Sequence, residues 1–331
     1  MSNRIGFHVS ISGGISNSVN NALKIGCNAF QIFSRSPRGW AAKALLENDV
    51  KDFRTKLNDS KIDKESVFVH MPYLPNLSSP NSRLHRKSTN ILIDELKRAS
   101  ILGIRYVILH LGSHGGKGND NGINQLIKAC NVAFENYDKL SSSALAKTVV
   151  KNSSKKKSGG NSTKQNKPAA IILENSAGEK NSIGSKFNEL GLILDKLRSS
   201  YSSSSGRNKG ASSFGVCFDT CHAFAAGYDL RTEYDVSETL DKFSSEIGLK
   251  NLKVIHLNDS KDKLNSNRDR HEHIGLGKIG KEGFRVLLNH KSIKRLPIIM
   301  ETPVDSKRGN TDNLKVVLDL LDKNKRETVR E

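Results

Sequence analysis

The chain has 331 residues, 53 of them Lys or Arg and 34 Asp or Glu, for a formal charge of +19. That length accommodates one large α/β domain, the four cysteines form no C-x-x-C pair and so no disulfide framework, and no run of eighteen apolar residues offers a membrane span. The basic balance favours an anionic partner such as nucleic acid, although nine of the nineteen charges fall in two polar tracts and leave +10 on the remainder.

The N-terminus enters the strand-like Ile5-Gly6-Phe7-His8-Val9 directly, with no apolar leader, so an intracellular location is expected: cytoplasmic in a prokaryote, nuclear in a eukaryote. From there, short β-branched or apolar runs alternate with longer stretches of helical spacing. A strand over Arg4 to His8 precedes a helix over Ser16 to Ile25, and Ala29 to Phe33 precedes Asn48 to Asn58. Val67 to His70 leads to Arg86 to Leu102, and Tyr106 to His110 leads to Gly122 to Tyr137. The second half repeats the alternation: Ala169 to Glu174 with Lys186 to Arg198, Phe214 to Asp219 with Val236 to Ile247, Lys253 to Leu257 with Lys281 to Asn289, and Pro297 to Glu301 with Thr311 to Leu321. Eight strands with eight helices predict an α/β fold of TIM (β/α)8 barrel type, one domain over residues 1–331.

Two tracts interrupt the pattern. Residues 141–168 hold seven lysines and no acid among Ser, Gly and Asn, and residues 199–213 are nearly all Ser and Gly. Neither can bury enough apolar surface to fold alone, so both read as flexible insertions around the fifth βα unit, at the barrel end away from the strand C-termini.

The informative residues terminate the strands. His8, His70, His110, Glu174, Asp219, His256 and Glu301 stand at the last position of their runs or one from it, and in a TIM barrel those positions converge on one mouth. A single His there is commonly a hydrogen-bonded structural residue; seven of eight strands ending this way indicate a metal site. Three further candidates follow on loops: His222, three residues after Asp219, and Asp269 with His271, a D-x-H pair in the loop after the seventh strand. Mixed imidazoles and carboxylates suit zinc, or manganese and iron where carboxylates dominate. Cys221, beside His222, has no base or orienting group of its own and reads as a packing cysteine.

These residues sit in motifs that resemble the endonuclease IV family of apurinic/apyrimidinic (AP) endonucleases. The likeness is carried by His8-Val9-Ser10 with Gly13-Gly14, Ser36-Pro37-Arg38-Gly39-Trp40, His110-Leu111-Gly112-Ser113-His114 and Glu174-Asn175-Ser176-Ala177-Gly178. It is most specific in the stretch from Phe218 through Asp219-Thr220-Cys221-His222 to Gly227-Tyr228-Asp229. It continues through His256-Leu257-Asn258-Asp259-Ser260-Lys261, Arg268 to His271 with Gly275-x-Gly277, and Glu301-Thr302.

The resemblance implies three zinc ions: one on His70, His110 and Glu174, a second on Glu174, Asp219, His256 and Glu301, and a third on His222, Asp269 and His271. Glu174 would bridge the first two and be the residue catalysis depends on, with Mn2+ possible at the carboxylate-rich second site. It further implies a monomer, with no membrane partner, acting on double-stranded DNA that contains abasic sites, incising 5′ to the lesion to leave a 3′-hydroxyl and a 5′-deoxyribose phosphate in base excision repair. Arg38 and Tyr73 would enter the DNA at the lesion, His8 and His114 would stand behind the ligands or on the phosphate side, and His273 would lie outside the coordination sphere. Two alternatives compete. A sugar isomerase or epimerase of xylose-isomerase type also gathers such ligands around two metals, but it needs neither the set His222, Asp269 and His271 nor Arg38 and Tyr73. A DNA-binding protein that has lost catalysis should show at least one altered ligand, and every position keeps its type.

Overall fold

Short strands that follow one another through helical crossovers pair in parallel, and a parallel sheet of eight can bury its edges by closing on itself. The computed structural model describes residues 3–142, 169–205 and 213–321. Strands β1 (Ile5–His8), β2 (Ala29–Phe33), β3 (Val67–His70), β4 (Tyr106–His110), β5 (Ala170–Glu174), β6 (Phe214–Asp219), β7 (Leu252–His256) and β10 (Ile298–Met300) form one closed barrel in the order β1-β10-β7-β6-β5-β4-β3-β2. Every pairing within it is parallel, with one irregularity between Val216 and Cys217 on β6.

Helices α1 (Asn17–Ile25), α2 (Glu47–Asp59), α3 (Ser82–Leu102), α4 (Asn119–Ser142), α5 (Phe187–Ser205), α7 (Glu233–Glu246) and α8 (Gly280–Asn289) lie in the seven crossovers, α9 (Asn310–Leu320) follows the last strand, and the short α6 (Thr220–Ala225) follows β6 directly. Their apolar faces and the outward strand residues make one core: Leu92, Leu96 and Ala99 of α3 pack in the same cluster as Val67 and Val69 of β3. Burying each such leucine is worth roughly 2 kcal/mol. Local chemistry fixes where helices begin, as Asn81 accepts a hydrogen bond from the Leu84 N–H ahead of α3 and Thr232 accepts one from the Asp235 N–H ahead of α7.

Three elements depart from the sequence reading. The tract 199–213 does not begin as a flexible insertion, because α5 continues through Ser205. Tyr201, four residues after Leu197, is buried with its ring 4.8 Å from that of Phe134 and 6.1 Å from that of Phe214. Packing of one aromatic outweighs the poor helix preference of the serines around it. Helix α6 was expected to be loop, and so was the two-stranded ribbon of β8 (Asp259–Ser260) and β9 (His271–Glu272) in the connection after β7. Residues 143–168, most of the first tract, and 206–212 lie outside the described residues; Ser142 and Ala169, which bound the first, lie at the barrel end opposite the strand C-termini.

Candidate metal centre

Side chains alternate along a strand, so a residue two positions beyond an inward-facing one faces inward again, nearer the strand end. The barrel interior is filled by Ala29, Phe68, Ile108, Ile172, Cys217, Val254 and Ile299. On β1 the corresponding residue is Gly6, where a Cβ would lie 1.6 Å from the Ala29 carbonyl oxygen. Two residues beyond each of these stand His8, Gln31, His70, His110, Glu174, Asp219, His256 and Glu301. The seven side chains singled out from the sequence are therefore gathered at one mouth, and the eighth strand adds Gln31.

Glu174 lies at the centre, fully buried. Its Oε2 is 3.0 Å from His70 Nε2 and 3.2 Å from His110 Nε2, while its Oε1 is 2.9 Å from His256 Nδ1. One carboxylate thus faces both the His70 and His110 pair and the group containing Asp219, His256 and Glu301, in which His256 Nδ1 stands 3.4 Å from Glu301 Oε2 and 3.9 Å from Asp219 Oδ2. The third set comes from outside the barrel strands. Asp219 caps α6 by accepting the His222 N–H at 2.7 Å, which holds His222 over the mouth. The ribbon pairs Ser260 with His271 and brings the loop bearing Asp269 back towards it. Asp269 Oδ1 then lies 3.1 Å from both His222 Nε2 and His271 Nε2. Asp219 and Cys221 also approach this set. Burial pushes the Cys221 thiol up to about 12, as it does that of Cys217 beneath the site, so both pack as neutral thiols.

The donor atoms fit divalent cations. His70 Nδ1 is 2.7 Å from the Met71 carbonyl, His222 Nδ1 2.9 Å from that of Asn175 and His271 Nδ1 3.2 Å from that of Glu301. Each carbonyl takes the ring N–H and leaves the other nitrogen free to ligate, the arrangement metal-binding histidines adopt. Nε2 of His222 and of His271 are buried and make no aligned hydrogen bond, despite their short distance to Asp269. Burial opposes ionisation of Glu174, yet His256 and His110 hold its carboxyl well below the usual range. Asp269 is held low against burial by His222 and His271, while burial of His271 is outweighed by its contact with Asp269 and the charge of Asp219, pushing it up to about 9. The carboxylates thus draw positive charge onto His110, His222, His256 and His271, and residues that draw protons this way also draw cations.

Tyr73, after β3, is exposed and lies over the cluster, its ring 5.3 Å from that of Phe33 and 5.9 Å from that of His110. With His8, Phe33, Glu301, Thr302 and Val304 it lines a cavity of about 190 Å³ beside the centre. Arg38 is exposed on the loop after β2. Trp40 on that loop packs against the core with the Lys87 ammonium 3.9 Å over its ring, a packing anchor. The loop is tied to α3 by a buried network that sequence reasoning did not find: Arg35 pairs with Asp94 and Glu95, Ser34 donates to Glu95 at 2.6 Å, and Arg98 donates to Ser34 Oγ at 2.7 Å. His114 accepts the Gly118 N–H at 2.9 Å and joins none of the donor groups. His273 is buried between Asp305 and Asn313, also outside them.

Comparison with known proteins places this geometry. Residues 19–324 match the family model described as a xylose isomerase-like TIM barrel. Proteins named probable endonuclease 4 are 46% identical to this chain in Cenarchaeum symbiosum (strain A), covering 94% of it and 97% of the relative, and 44% identical in Nitrosopumilus maritimus (strain SCM1), covering 94% and 98%. The chain belongs to the endonuclease IV family. It is thereby a phosphodiester-cleaving hydrolase, and the crystal structure of endonuclease IV from Thermus thermophilus superposes with a TM-score of 0.73 at 32% identity, covering 96% of this chain and 98% of that one. A D-tagatose 3-epimerase-like protein shares the fold at a TM-score of 0.63 and 16% identity, covering 96% of each chain. The isomerase alternative thus accounts for the scaffold and leaves the family membership unexplained.

Proposed function

We propose that this chain is a zinc-dependent AP endonuclease of base excision repair, hydrolysing the phosphodiester 5′ to an abasic site in duplex DNA to leave a 3′-hydroxyl and a 5′-deoxyribose phosphate. The observation that carries the reading is the position of Glu174. One buried carboxylate serves two donor groups at once, with a third group facing them through His222 and Asp219. His70, His110 and Glu174 would hold one zinc, Glu174, Asp219, His256 and Glu301 a second, and His222, Asp269 and His271 a third; Mn2+ suits the second, where carboxylates outnumber imidazoles. Bound cations would acidify a water and offset charge on the phosphoryl oxygens.

The chain's own groups do the rest. Carbonyl partners keep the ligating nitrogens of His70, His222 and His271 aimed inward. Tyr73 and Arg38, exposed on adjacent loops, would fill the gap left when the abasic nucleotide turns out of the duplex, a step that costs little because a sugar without a base has little stacking to lose. A duplex carrying one tetrahydrofuran abasic analogue tests the reading, with the protein acting as a monomer. A single incision on its 5′ side supports it, and equal cutting of undamaged duplex removes the lesion specificity. Failure to cut with a full complement of zinc removes the assignment.

A further inference from the structure

Gln31 is wholly buried, and both polar atoms of its amide meet residues of the centre. Its Nε2 lies 2.7 Å from Glu301 Oε1 and 2.9 Å from His8 Nδ1, and its Oε1 lies 2.8 Å from His256 Nε2. The orientation of the amide is dictated by Glu301: a carboxylate only accepts, so the NH2 must face it and the oxygen must face His256. His256 Nε2 therefore carries a hydrogen. The nitrogen left to ligate is Nδ1, which faces Glu174, Glu301 and Asp219. The second amide hydrogen points at His8 Nδ1, which must accept it, so the hydrogen of a neutral His8 resides on Nε2.

We propose that Gln31 is a positioning residue that selects the ring nitrogen of His256 facing the cations and leaves His8 as an N–H donor for a phosphodiester oxygen in the cavity it lines. The inference rests on the metal reading above for its consequence, and on the amide geometry for its content. Glu301 is oriented by the same amide, so one side chain sets two of the four residues of the second donor group and a neighbour on the substrate side.

Two variants test it in the full chain: Gln31→Met, of similar length without polar atoms, and Gln31→Glu, which keeps an oxygen for His256 but places a carboxylate against Glu301. The readouts are zinc per chain after dialysis against a graded chelator, long-range 15N–1H spectra of 15N-histidine-labelled protein, which distinguish the two tautomers, and kcat and KM on an abasic duplex. Wild type should show the Nε2–H tautomer at both His256 and His8. Gln31→Met should lose that uniformity and bind one zinc on the order of 10- to 100-fold more weakly, with kcat falling more than KM rises. Gln31→Glu should keep the His256 tautomer and lose zinc affinity through repulsion of Glu301. Wild-type tautomers and zinc affinity in Gln31→Met would overturn the proposal, and so would an Nδ1–H tautomer at His256 in wild type. Wild-type protein that takes up no zinc would instead remove the metal reading, and the tautomer spectra would still decide the role of Gln31.

Discussion

The centre is assembled from two kinds of support. His70, His110, Glu174, Asp219 and His256 are the terminal residues of barrel strands, and Glu301 follows one directly, so closure of the barrel sets their backbone positions relative to one another. His222, Asp269 and His271 come from a six-residue helix and the interior of the long connection after β7, held by a cap, a two-stranded ribbon and a buried carboxylate. The first set inherits the rigidity of the most cooperative part of the fold; the second depends on local contacts that can fail singly. The two sets should therefore separate under mutation.

Glu174 offers the largest effect, because it is the one residue whose loss the barrel set cannot absorb. Replacing it in Glu174→Gln removes a negative charge from beneath His70, His110 and His256 together. Cations at both barrel groups should be lost or weakened, with incision falling roughly 10³-fold or more. Elemental analysis should show the loss confined to those groups, with the third cation retained. Retention of all bound zinc would contradict the shared role.

The same division decides what could be read in the sequence. Strand-end ligands were legible because the strand runs and their terminal residues are contiguous in the chain, and one topology brings all of them to one end. Gln31 was not, since it sits mid-run in Ala29-Phe30-Gln31-Ile32-Phe33 and ends nothing. Its signal was positional: Gln31 pairs in register with His8, and it stands two residues after Ala29, as His70 does after Phe68. The helix after β6 had a cap residue in Asp219 but was too short for a periodic signal. The serines of α5 were misleading, because a composition rule cannot see that Tyr201 finds Phe134 in space. The Arg35, Ser34, Glu95 and Arg98 network joins residues about sixty positions apart and leaves no local trace.

An intermediate effect is expected where the loop-borne set is anchored. Asp259 is fully buried, and its carboxylate accepts five backbone N–H bonds: from Ser260 and Ile279 on Oδ1, and from Gly275, Gly277 and Gly280 on Oδ2. It closes the connection that carries Asp269 and His271. The Gly275-x-Gly277 pattern belongs to the same device, since a Cβ on Gly277 would lie 2.4 Å from the Ser260 carbonyl oxygen and 2.5 Å from Asp259 Oδ1. Asp259→Ala should cost roughly 3 kcal/mol through unpaired donors, and it should release the cation of the loop set before those of the barrel set. Gly277→Ala should act in the same direction by about 1–3 kcal/mol. Chelator titration followed by elemental analysis checks the order of release; simultaneous loss of all cations would merge the two sets into one.

The smallest effect on the centre should come from residues that belong to neither set. Arg38 is exposed, and Tyr73, though its ring touches Phe33, leaves most of its surface to solvent. Arg38→Ala and Tyr73→Ala should each leave stability within about 0.5 kcal/mol of wild type and the bound zinc unchanged. If these side chains fill the gap at an abasic nucleotide, each loss should weaken binding of the abasic duplex by about 1–2 kcal/mol, roughly tenfold in KM, while binding of undamaged duplex changes less. Binding curves on the two duplexes at one salt concentration give the comparison directly. Equal loss on both would make the two residues general DNA contacts and leave lesion recognition to the remaining walls of the cavity, among them His8, Thr302 and Val304.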